Sequence, residues 1–118
     1  EIWNDPVYTV GSTSFLSELV SIAGGRNIGD DVRQEYYQVA AEWVVSRDPE
    51  IILCFYMAGV RPPHETVLER AGWSKVTALR HRRIYDGFDN DIMLRPGPRV
   101  LAGIIALQQA IANTPATP

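Results

Sequence analysis

Asp48-Pro49-Glu50-Ile51-Ile52-Leu53-Cys54-Phe55-Tyr56-Met57 decides how this chain folds. From Ile51 to Met57 the apolar residues are unbroken, without the alternation of a half-solvated strand. Such a run predicts a strand covered on both faces, as in a mostly parallel sheet. Asp48-Pro49 stops whatever helix precedes it, because the residue before proline avoids the helical region. Ala58-Gly59 and Pro62-Pro63 then mark a loop at the C-terminal end of the strand.

Upstream, Val39, Ala40, Trp43 and Val44 fall on one stripe of a short helix that runs to Ser46. Residues 26–35 are polar and read as a loop, with Tyr36 and Tyr37 in the loop ahead of the helix. Phe15, Leu16, Leu19, Val20 and Ala23 form an earlier helical stripe. Ser12, Thr13 and Ser14 offer its N-caps, and Gly24-Gly25 ends it. Two short extended pieces, near Ile2–Trp3 and Val7–Val10, open the chain.

Downstream, Glu65–Ala71 reads as a helix ended by Gly72, Val76–Leu79 as a short extended segment and Arg83–Gly87 as a strand. A polar loop runs to Leu94. Arg95-Pro-Gly-Pro-Arg99 leads into a last helix with Val100, Leu101, Ile104, Ile105, Ile111 and Ala112 on one stripe. The order β-α-α-β-α-β-α predicts an α/β fold, a three-layer sandwich with a mostly parallel central sheet flanked by helices. Residues 1–113 form the domain and 114–118 a disordered tail.

At 118 residues the chain makes one small domain, and 46% hydrophobic with 21% charged residues places it among globular proteins, not disordered ones. Net charge is −3, so nothing draws the whole chain to nucleic acid. Residues 1–50 carry −6 and residues 51–118 carry +3. The basic stretch Arg80-His81-Arg82-Arg83 lacks interleaved aromatics and reads as a solvated strand edge. No run approaches the ~20 apolar residues of a membrane span. No signal peptide is visible, and the abrupt start at Glu1-Ile2-Trp3-Asn4 reads as a cut from something longer, with any targeting signal upstream.

Catalytic chemistry finds little support. Cys54 is the one cysteine, so no internal disulfide forms, and its place in an apolar run makes it core filler. His64 and His81 stand seventeen residues apart with no zinc spacing around them, and both read as solvated. No metal site and no cofactor are expected. Gly11-Ser12-Thr13-Ser14 is neither a nucleophile elbow nor a phosphate loop; helix capping accounts for it. No catalytic residue is assigned, and the chain reads as a binding module, not an enzyme.

Open α/β sheets bind ligands at the C-terminal ends of their strands. Tyr8, Tyr56, Met57, Phe88, Asp89 and Asp91 lie at or after such ends, and Tyr36 and Tyr37 lie ahead of the second helix. Aromatics converging on one rim suit a flat, partly apolar ligand. Glu42 lies off the apolar stripe of its helix and should face water.

The segment Tyr8-Thr-Val-Gly-Ser-Thr-Ser-Phe-Leu-Ser-Glu-Leu-Val-Ser-Ile-Ala-Gly-Gly-Arg-Asn-Ile28 resembles the opening of the C-terminal lobe in periplasmic binding proteins for iron-siderophores, haem and cobalamin. Tyr37-Gln-Val-Ala-Ala-Glu-Trp-Val-Val-Ser-Arg-Asp-Pro-Glu-Ile-Ile-Leu53 is similar to that family's second block, a glutamate-bearing helix, a turn and an apolar strand. Trp73, Arg83-Ile-Tyr-Asp-Gly87 and Arg95-Pro-Gly-Pro-Arg-Val100 match its closing block.

The resemblance implies two α/β lobes joined by a long helix, with ligand in the cleft between them. It implies the N-terminal lobe of the same parent, an ABC transporter permease and a small metal chelate or cobalamin as partners, in a periplasm or on an extracytoplasmic lipid anchor. By position, Glu42 looks like the glutamate that docks into arginine pockets of the permease. By the same alignment Tyr8 falls where cobalamin-binding relatives place an aromatic against the ligand, Tyr36 falls near another such aromatic with Tyr37 adjacent, and Arg95 would face an anionic group, while Tyr56 and Phe88 join the rim by strand-end position alone. Tyrosine can also ligate haem iron, so siderophore, haem and cobalamin all stay open. Two other readings stand beside this one. A metal-cluster enzyme subunit of similar architecture would need thiolate ligands beyond Cys54. A ligand-free interaction domain would bury Tyr8, Tyr36 and Tyr37.

Overall fold

The computed structural model describes residues 1–4, 6–56, 61–93 and 97–112. Strands β1 (Trp3–Asn4), β2 (Val7–Val10) and β3 (Tyr36–Gln38) form one sheet; β4 (Ile52–Leu53) and β5 (Ile84–Tyr85) form another. The helices are α1 (Phe15–Ile22), α2 (Ala41–Arg47), α3 (Pro63–Leu68), α4 (Thr77–Arg80), α5 (Asn90–Met93) and α6 (Val100–Ala112).

The α/β class is as read from the sequence; the mostly parallel sheet is not. Among the described residues β1–β2 and β2–β3 pair antiparallel, and only β4–β5 is parallel. Connection length accounts for the first and last of these pairs, though not for β2–β3, whose link through α1 is long enough for a crossover. The link from β1 to β2 through Pro6 is too short for a crossover, whereas α3 and α4 supply the crossover that parallel β4 and β5 require.

The apolar run works as expected although its strand is short. Ile52, Cys54 and Tyr56 enter a cluster with Val67, Trp73 and Val76, while Leu53 and Phe55 join Leu16, Leu19, Met93 and Leu107 in a second. Alternate residues thus meet two cores, so both faces of β4 are covered. Met57 lies outside the described residues.

Four local expectations need correction. Tyr36 and Tyr37 are strand, not loop, because β3 finds its partner in β2 across the intervening helix. Val76–Leu79 is not extended: Thr77–Arg80 is a helical turn capped from a distance, the Asp48 carboxylate accepting from Thr77 N at 2.7 Å and Thr77 Oγ1 at 2.8 Å. The polar stretch before Leu94 contains α5, whose Ile92 and Met93 amides donate to the Asp89 carbonyl while Met93 is buried. On α6 the buried residues are Gly103, Leu107 and Ala110, and Leu101 and Ile105 of the predicted stripe face outward.

Asp48 gives a pH dependence. Its hydrogen bonds from Thr77 hold the carboxyl below the ordinary value of 3.8. A carboxyl depressed in the folded state stabilises the fold above its unfolded pKa and loses that contribution as pH falls through the folded one. Asp48→Asn tolerates the left-handed backbone here (φ 45°) and should remove that part of the acid dependence below pH 3.8. Urea titrations of both proteins between pH 2 and 6 check this; parallel curves would refute it.

Gly11 sits where β2 meets the 26–35 loop, its amide donating to Glu35 O at 3.0 Å. A Cβ there would press on the Gln34 carbonyl and lie 2.6 Å from that of Val32. Gly11→Ala should therefore cost about 1–3 kcal/mol, read as a lower thermal midpoint.

Candidate ligand face and docking carboxylate

The site grows from the register of the first sheet. Trp3 lies opposite Tyr8, Tyr8 opposite Gln38, and Val10 opposite Tyr36. Paired residues and those two apart share a face, so Trp3, Tyr8 and Tyr36 lie on one side. Trp3 is 47% and Tyr36 44% exposed, and Tyr8 is half-buried. The face ends at Val10, which is buried with Leu16 and Leu19.

Tyr37 points to the other face. It meets Trp43 edge-on at 6.1 Å and its hydroxyl donates to Gly29 O at 3.1 Å. Burial, more than any neighbouring charge, raises its phenol pKa. Tyr56 is buried, touches Trp3 edge-on at 6.1 Å, and donates its hydroxyl to the Glu1 carboxylate. Phe88 stacks on Phe55 at 4.9 Å within the second cluster, on the opposite side of β4 from Tyr56. The five rings expected along one rim are thus divided: Tyr8 and Tyr36 share an accessible face, Tyr56 backs its edge, and Tyr37 and Phe88 pack elsewhere. Arg95 lies outside the described residues. Trp3 was missed; its alternation with Tyr8 across the Pro6 connection was the signal available.

The segment after α1 holds this sheet in place. Asn27 Nδ2 donates to Val10 O at 2.8 Å and to Ser17 Oγ at 3.1 Å, and its Oδ1 accepts from Gly29 N at 3.0 Å. One side chain thereby ties the end of β2 to α1 and to the following turn. Ser14, expected as a cap, accepts from Ser17 N at 3.0 Å and donates to Gly11 O at 2.9 Å.

Glu42 stands in the first turn of α2, exposed, while Val44 of the same helix is buried. No basic side chain among the described residues is recorded in an ion pair with it. Beyond it on α2, Arg47 is engaged with Asp31 at 2.7 Å and lies 4.5 Å over the Trp43 ring. The helix thus offers a carboxylate on a fixed element.

Two groups differ from their solvated reading. His64 donates its backbone amide at 2.9 Å and its Nδ1–H at 2.8 Å to the Asp86 carboxylate, just past β5. Arg83 is buried and donates to Ile111 O at 2.8 Å, closing the C-terminal end of α6. Cys54 is 1% exposed, and burial pushes its thiol pKa up to about 12, so it stays protonated at neutral pH. Among the described residues no three His, Cys, Asp or Glu side chains could hold a metal ion, and no helix is long and apolar enough to cross a membrane.

The chain is thus a small α/β unit with an accessible aromatic sheet face and an exposed carboxylate on a helix. Residues 3–90 match the periplasmic binding protein family, and the chain belongs to it. It is 32% identical over 112 residues to the uncharacterized ABC transporter substrate-binding lipoprotein YvrC of Bacillus subtilis, covering 94% of this chain and 34% of that protein. It is 27% identical over 104 residues to a vitamin B12-binding protein of Vibrio parahaemolyticus, covering 85% of this chain and 34% of that one. Among solved structures, a possible iron-binding (periplasmic solute-binding) protein of Staphylococcus epidermidis superposes with a TM-score of 0.85 at 28% identity, over 96% of this chain and 43% of that one. The chain spans about a third of the length of the curated relatives it matches.

Proposed function

We propose that this chain is one lobe, by resemblance the C-terminal one, of an extracytoplasmic substrate-binding component of an ABC importer. Its cargo is an iron chelate, as siderophore or haem, or a cobalamin. The observation that carries the reading is the Trp3–Tyr8–Tyr36 face, accessible on one side of the sheet whose other side packs on the core. Family membership and relatives named as vitamin B12-binding and cobalamin-binding proteins support it.

The chemistry is binding without bond-making. Rings offer large apolar area at small entropic cost and stack on a flat ligand, and a second lobe closes over it. Glu42 would dock to permease arginines, a charge-assisted and sterically specific contact. Arg95 would meet an anionic group of the cargo. The location follows as a periplasm or the outer face of a membrane, with a lipid anchor on the parent. Neither Tyr8 nor Tyr36 is fully buried, which speaks against a ligand-free interaction domain.

The test titrates the parent protein with cobalamin, haem, ferric siderophores and oxyanions. Binding of one of the first three, weakened about tenfold by Tyr8→Ala or Tyr36→Ala, is expected. Failure to bind any of the panel would overturn the reading.

A further inference from the structure

A polar network lies behind the edge of the aromatic face. Arg70, in the segment between α3 and α4, donates through Nη1 and Nη2 to the two carboxylate oxygens of Glu1. The Tyr56 hydroxyl donates to the same carboxylate. The flat side of the guanidinium lies 4.3 Å over the ring of Trp73, which is 1% exposed. The backbone of Glu1 is fixed as well: its nitrogen donates to Leu53 O at 2.7 Å, and its carbonyl accepts from Phe55 N–H at 2.9 Å.

Two residues on, Trp3 meets the Tyr56 ring edge-on, with centroids 6.1 Å apart and planes at 61°. Glu1 and Trp3 thus hold opposite parts of one phenol, the first its hydroxyl and the second its ring. A buried phenol bound to a carboxylate cannot change rotamer without breaking a charge-assisted hydrogen bond. Its ring is therefore a fixed wall beside the exposed indole of Trp3, which stands opposite Tyr8 in the sheet. Arg70 is in no position to take an anionic cargo itself, since Glu1 engages both its Nη atoms and Trp73 covers its face.

We propose that Arg70 and Glu1 are positioning residues for the aromatic face: through the Tyr56 hydroxyl they hold the ring that sets the Trp3 indole, and with it the fit of a flat cargo to Trp3, Tyr8 and Tyr36. The effect on cargo rests on the functional reading above, whereas the setting of the indole does not. Apolar residues of similar volume would serve the core as well as a buried ion pair. What the pair adds is a fixed acceptor for one hydroxyl.

Tyr56→Phe in the parent protein tests this, because it removes the hydroxyl but leaves the ring and the Arg70–Glu1 pair. Without cargo, acrylamide quenching of the emission component that Trp3→Phe removes should rise about twofold as the indole populates further rotamers. In titrations with cobalamin, haem and a ferric siderophore, the cargo that binds should bind about threefold to tenfold more weakly. Arg70→Lys keeps the charge but not the two-pronged grip, and should move both readouts in the same direction. In a Trp3→Ala background, Tyr56→Phe should cost no further affinity. An equal loss in both backgrounds would place Tyr56 against the cargo itself and overturn the proposal. Quenching unchanged by either variant, even with a lowered thermal midpoint, would leave the network a purely structural role and overturn it too. A parent protein that binds none of the three cargoes defeats the functional reading, while the quenching still decides whether the network sets Trp3.

Discussion

Arg70→Met should lower stability by about 3–5 kcal/mol, the cost of leaving one half of a buried ion pair behind. Arg70 Nη1 and Nη2 grip the two Glu1 carboxylate oxygens at 2.7 and 3.0 Å, with the two side chains 15% and 5% exposed. The Tyr56 hydroxyl donates to the same carboxylate, and the guanidinium lies 4.3 Å over the Trp73 ring. Burial raises the Tyr56 phenol pKa, and its bond to Glu1 adds to the rise, so Tyr56 remains a donor at neutral pH. Methionine retains much of the stem volume but none of the donors, which strands the carboxylate. Adding Glu1→Leu should recover most of the loss, because removing both partners leaves no unpaired charge. Urea midpoints of the two single variants and the double variant complete the cycle. A loss below about 1 kcal/mol for Arg70→Met would mean the pair is open to water in solution.

The second large effect concerns transport. Glu42→Arg in the parent protein should leave ligand affinity within about twofold and lower uptake by tenfold or more, since opposing like charges at a docked contact costs about 2–5 kcal/mol. Glu42 is exposed on α2, so its replacement should leave the packed core unaltered. Glu18, exposed in the first turn of α1, is the control position. Uptake with the Glu42 variant equal to the control, or loss of ligand binding, would contradict the assignment.

What could be read from the chain alone was what local pattern determines. Ile51–Met57 announced a doubly covered strand because apolar residues on both parities leave no solvent face, and Glu42 fell outside the stripe set by Val44 and its neighbours. The antiparallel sheet was hidden because three residues, Tyr36–Gln38, carry too short an alternation, and their partner is β2, on the far side of α1. Likewise α4 depends on a carboxylate from Asp48, 29 positions away in sequence. The exposed aromatic face was half legible. Tyrosines could be counted, but register alone turns Tyr36 outward and Tyr37 inward, and a slip of one residue would exchange them.

Tryptophan fluorescence gives the most direct test of the central claim, that the outer face of the first sheet meets the cargo. Trp3 is on that face, whereas Trp73 is buried and Trp43 lies against Tyr37 and Arg47. Adding saturating cobalamin, haem or ferric siderophore to the parent protein should quench a component that Trp3→Phe removes and Trp43→Phe retains. Cargo that binds without affecting Trp3 emission would place the ligand elsewhere and contradict the account.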